Sequence, residues 1–160
     1  MGHPVHQMLV VFPLGLLGGS LLFDIAYLVS DQGRWAEMAY WMIVVGVPAG
    51  LLTAAFGFID WLMIPRRTRA RRVGVLHAIT NVVMLGLFVA SWILRHPQPL
   101  DPPGAAIGCS LLGIALAAIA GWLGGELVDR HGIGVADDAS LNARSSLSRS
   151  SPTVGNSTRS

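Results

Sequence analysis

Four apolar blocks, each about twenty residues or longer, dominate the chain, and short polar breaks separate them: "SDQGRW", "PRRTRARR" and "RHPQPLDPPG". The blocks cover roughly residues 4–29, 36–64, 73–94 and 105–128. As a helix, twenty residues reach ~30 Å, the thickness of a bilayer's hydrocarbon core. One such block could be the core helix of a soluble domain. Four in succession predict an all-α fold, a four-transmembrane-helix bundle. Residues 136–160 break the pattern. They are rich in Ser, carry no aromatic residue and show no apolar period, so they read as a disordered cytoplasmic tail on a membrane domain of residues 1–135.

Composition supports the membrane reading. Of 160 residues, 52% are hydrophobic and 12% charged, too apolar for an ordinary soluble domain. All eleven basic residues are Arg. Five of them, Arg66, Arg67, Arg69, Arg71 and Arg72, crowd the second break, against Arg34 in the first and Arg95 in the third. The positive-inside rule puts the arginine loop in the cytoplasm, and with four spans both termini follow it. A specific lipid or regulatory site at this loop is the less favoured reading. No nucleic-acid recognition module is present. The N-terminus lacks the basic stretch of a cleavable signal, so the first block reads as a span. The lone Cys109 reports nothing on redox compartment.

Small residues recur four apart at Gly15/Gly19, Gly46/Gly50, Gly86/Ala90 and Ala117/Gly121/Gly125, a spacing that lets helices approach closely in lipid. Polar residues sort by depth. His3 and His6 open the first helix, Asp60 lies near the end of the second, and His77 about one turn into the third. Glu126 lies near the end of the fourth, with His131 just beyond. At ~1.5 Å per residue, all six fall within roughly two turns of one membrane surface. The opposite level holds His96, Asp24 and a few loop charges; Asp24, eighteen residues after His6, shares its helical face. An ionisable group within a span is a functional candidate by default. Plainer readings exist: a solvated terminus for His3, a counter-charge to the arginines for Asp60, and an i to i+4 pair with Arg130 for Glu126.

The segments "GHPVHQMLVVFPLGLL", "GFIDWL", "HAITN" and "GWLGGELVDRHGIGV" together resemble the DUF2231 family of bacterial membrane proteins over roughly residues 2–135. The resemblance implies a multi-pass protein of the bacterial cytoplasmic (inner) membrane. It also implies redox chemistry, through fusions of such proteins with Rieske-type or cytochrome c-like modules. Asp129 departs from the family pattern, which more often has Tyr after "ELV".

Three functions fit the polar layer. In the first, the chain binds haem b and moves electrons: His6 and His77 hold the iron axially, His131 and His3 stand in reserve, and Arg71 or Arg72 answers the propionates. In the second, His3, His6, Asp60, His77, Glu126 and His131 supply ligands to a non-haem Zn or Fe ion. In the third, a non-catalytic membrane subunit with no cofactor uses the layer only to join its helices. The expected partners are the lipid bilayer and a redox protein. Enzymatic activity and oligomeric state are left open.

Overall fold

The computed structural model describes residues 5–136 and 139–143. His3, one of the expected site residues, lies outside them. Within the described residues the chain is all-α: α1 (Val5–Leu9), α2 (Val11–Ser30), α3 (Gly33–Met63), α4 (Arg69–Arg95) and α5 (Gly104–Asp129). α1 and α2 together form one span, Val5–Ser30, so four stretches are long and apolar enough to cross a membrane.

The break at Val10 has a local cause. Pro13 has no N–H, so the carbonyl of Leu9 loses its i+4 donor. Two bonds carry the chain across: Val10 N–H to His6 O at 3.0 Å and Leu14 N–H to Val10 O at 3.2 Å. α4 starts at Arg69, earlier than its apolar run predicts. Hydropathy reports where lipid begins, whereas the helix begins at its cap. Here the Thr68 hydroxyl accepts the Arg71 N–H at 3.2 Å, so the first turn of α4 is built from arginines. α5 closes on Gly132, at φ +65°, with Gly132 N–H bonded to Val128 O and Ile133 N–H to Leu127 O. A left-handed glycine whose N–H bonds the carbonyl four residues back is an αL stop, and the Ile133 bond tightens it.

The helices pack as two antiparallel hairpins, α2 with α3 and α4 with α5, and a looser seam joins the hairpins. Leu17, Ile43, Val47, Met84, Leu85 and Phe88 form the core across that seam. Only 22–28% of each span's apolar window is buried in the bundle, and large side chains such as Leu22, Val29 and Leu111 stand exposed. A soluble monomer would not tolerate so much open apolar surface, so lipid is the solvent of these faces.

Close approach within the bundle uses some of the expected small residues and not others. A Cβ on Gly46 would meet Leu17 Cδ2 at 2.7 Å and one on Gly50 would meet Leu85 Cδ2 at 2.7 Å; at Gly113, outside the expected set, it would meet Phe88 Cε2 at 2.8 Å. Gly15, Gly86, Gly121 and Gly125 have nothing within 4 Å and so play no part in packing here. Spacing alone could not tell an inward glycine from an outward one. Phe88 is fully buried and has nowhere to retreat. Gly113→Ala is therefore expected to destabilise the bundle by about 1–3 kcal/mol. Gly121→Ala should be neutral or stabilising by up to about 1 kcal/mol. Thermal unfolding of the two variants in detergent checks the contrast, and equal midpoints would contradict it.

Candidate site at the hairpin seam

The sequence carries two polar constellations to the seam, one at each end. At the arginine-loop end, His6 lies on α1, which the Pro13 break separates from α2. Its Nδ1 donates to the backbone carbonyl of Thr53 on α3 at 3.0 Å. The ring fits because Gly57 has no side chain: a Cβ there would come within 2.8 Å of His6 Cε1. His77 on α4 repeats the arrangement in the other hairpin. Its Nδ1 donates to Ala120 O on α5 at 2.9 Å, and Gly124 leaves room for the ring. The two imidazoles meet across the seam with centroids 6.5 Å apart and planes at 87°.

These bonds fix the tautomers. A carbonyl can only accept, so each neutral imidazole carries its hydrogen on Nδ1 and presents a lone pair at Nε2. The Asn81 amide donates to His77 Nε2 at 3.2 Å and to the backbone O of His77 at 2.9 Å.

The other expected residues do not join this pair. Asp60 is exposed, one turn past the level at which α1 packs on Thr53 and Gly57, and forms no ion pair among the described residues. Glu126 pairs along its own helix with Arg130 at 3.4 Å. Two residues on from Gly124 is ~200° around a helix, so Glu126 turns away from His77. His131 sits in the closing turn of α5, with its Nε2 buried and unpartnered. Among the described residues no three His, Cys, Asp or Glu side chains group as metal ligands. Arg71 and Arg72 are not placed to answer a group at His77: they occupy the opposite face of α4, six and five residues before it.

The constellation at the other end was not expected. Arg95 and Asp24 are both fully buried and form a forked pair, Nη1 to Oδ1 at 2.9 Å and Nη2 to Oδ2 at 3.1 Å. Nη2 also reaches the hydroxyls of Ser91 at 3.0 Å and Ser110 at 3.2 Å, while Arg95 Nε has no partner. Three helices from both hairpins are tied at this point. The signal was present in the numbering. Asp24 follows His6 by eighteen residues, and Arg95 follows His77 by the same eighteen, five helical turns. Each hairpin's leading span thus carries an imidazole at one end and a charge on the same face at the other. His96, next along, is exposed and bonded to the Tyr40 hydroxyl at 2.8 Å.

A family model described as a predicted membrane protein, DUF2231, matches residues 2–137. No curated protein and no solved structure matches the chain.

Proposed function

The chain belongs to DUF2231, a family of predicted membrane proteins, and from that premise we propose a membrane electron-transfer protein that holds b-type haem through His6 and His77. One observation carries the reading: both imidazoles are oriented through Nδ1 by a carbonyl of their own hairpin and meet across the seam. Metal-binding histidines are held by their second nitrogen in this way. Two metal–nitrogen bonds of ~2.0 Å separate ring centroids by about 6 Å, and the observed separation is 6.5 Å. Haem also suits the ligand count, because the macrocycle supplies four nitrogens and asks the protein for only two. When bound, it supplies one-electron transfer. The chain's own part is to orient the imidazoles and surround them with apolar helix.

The donors fit haem better than the space does. The crevice beside Thr53, lined by Leu9, Phe12, Leu16, Val45, Ala49 and Leu52, takes in neither imidazole and, at ≈ 190 Å³, is too small for a macrocycle. Loading therefore requires the hairpins to part at the histidine end and Asn81 to release His77 Nε2. That Asn81 bond favours the competing reading of a cofactor-free membrane subunit, in which the imidazoles only join helices. A non-haem Zn or Fe site has less support, since Asp60 is exposed and Glu126 engaged with Arg130.

The test is the absorption spectrum of the full chain purified in mild detergent. A Soret band with about one haem per chain is expected. A colourless, metal-free protein would overturn the proposal in favour of the subunit reading.

We further propose that the chain resides in the inner membrane of a bacterium with the arginine loop and both termini cytoplasmic. The support is the five loop arginines, for which the described residues offer no carboxylate partner. A reporter fused after Val135 should be active only on the cytoplasmic side; activity confined to the outside would reverse the orientation.

A further inference from the structure

A cleft of ≈ 650 Å³ opens at the arginine-loop end, lined by Arg67, Thr68, Arg71, Arg72, Val75 and Leu76. Five of these recur on α4 and its cap at i, i+3, i+4, i+7 and i+8, which is one helical face. It lies opposite the face that carries His77, Met84, Phe88 and Arg95 into the bundle. The cleft thus looks outward to lipid, and nothing said of it rests on the haem reading.

The cleft is graded from charge to hydrocarbon. Its upper wall holds three arginines, and its floor is apolar. Val75, Leu76 and Ile79, at 38%, 55% and 56% exposure, carry that floor down the lipid-facing side of α4. Among the described residues the ion pairs are Asp24–Arg95 and Glu126–Arg130, so these cations have no protein counter-charge. They are also partly fixed in place. Arg71 donates Nη1 to Ile64 O at 2.7 Å and lies 4.1 Å from the centroid of the Trp61 ring. The Thr68 hydroxyl, donating to Pro65 O at 2.9 Å, braces the turn that presents Arg67.

We propose that this cleft binds the phosphate headgroup of an anionic diacyl phospholipid, with one acyl chain along the Val75–Ile79 stripe. The three cations match the phosphate, and the floor beneath them matches the chain that a free anion lacks. Neutralisation also answers the placement of uncompensated cations at the membrane surface, where each attracts anionic lipid.

The full chain in neutral detergent is titrated with phosphatidylglycerol, phosphatidylcholine and inorganic phosphate, and bound lipid is read by native mass spectrometry. One phosphatidylglycerol per chain is expected, displaced poorly by phosphatidylcholine or phosphate. Arg67→Gln with Arg72→Gln should weaken it about thirty-fold. Arg66→Gln with Arg69→Gln removes as much charge from the same loop outside the cleft and should change it less than about three-fold. Should the first pair fail to fold, Arg67→Gln and Arg72→Gln singly should each cost about five-fold. Equal losses in both double variants would overturn the site in favour of diffuse charge. Equal binding of phosphatidylcholine, or full competition by phosphate, would overturn the anionic lipid as its occupant.

Discussion

Arg95→Ala is expected to cost the bundle about 3–5 kcal/mol, because it strands the carboxylate of a fully buried Asp24. The reasoning turns on which half of an ion pair is removed. The attraction between buried charges mostly offsets their desolvation, so an intact pair stabilises little; a broken one leaves the desolvation uncompensated. Asp24→Leu combined with Arg95→Met removes both charges and should recover most of the loss. Ser91 and Ser110 stay satisfied in that double variant, since they bond each other at 2.8 Å and Ser91 donates to Ala106 O at 2.7 Å. Unfolding in detergent of Asp24→Leu, Arg95→Met and the double variant closes the cycle, with Arg95→Ala as the stranded-acid reference. A double variant as unstable as Arg95→Ala would mean that the pair does more than cancel charge. A single loss under about 1 kcal/mol would mean that water reaches it.

His77→Ala is the second large effect, and it falls on the cofactor and not on the fold. On the proposed haem reading, bound haem should be lost, because one of the two imidazoles that would hold it is gone. The protein itself should lose only about 1 kcal/mol, the scale of one interhelical polar contact in lipid. Asn81 is not orphaned, since it keeps the backbone carbonyl of residue 77 as acceptor. His6→Ala should behave alike. His96→Ala, which frees only the Tyr40 hydroxyl at the other end, should keep full haem. Retention of haem by His77→Ala would remove His77 from the site and return attention to His131, whose Nε2 is buried without a partner.

The spans were legible in the sequence because twenty apolar residues in a row admit few other readings. Depth was legible too: a constant rise per residue set His6 and His77 at one level. Direction around the helix was harder. Asp60 and Glu126 share that level, yet one projects past the end of its neighbour and the other turns ~200° from Gly124. Arg95 was read as a loop residue because its apolar run ends at Leu94, whereas α4 continues through Arg95 and buries it. Hydropathy counts an arginine as an exit from the membrane and cannot see a carboxylate seventy-one residues upstream.

That separation has a consequence in time. At about 5–20 residues per second of synthesis, seventy-one residues take roughly 4–14 s. The first hairpin is complete, and carries Asp24, seconds before the ribosome has made Arg95. For that interval the nascent chain holds an acid with no basic partner, and its docking surface is still open. The second hairpin does more than add to the first. Its arrival supplies the base that Asp24 lacks, and a chain stalled between the two hairpins presents that acid unmatched.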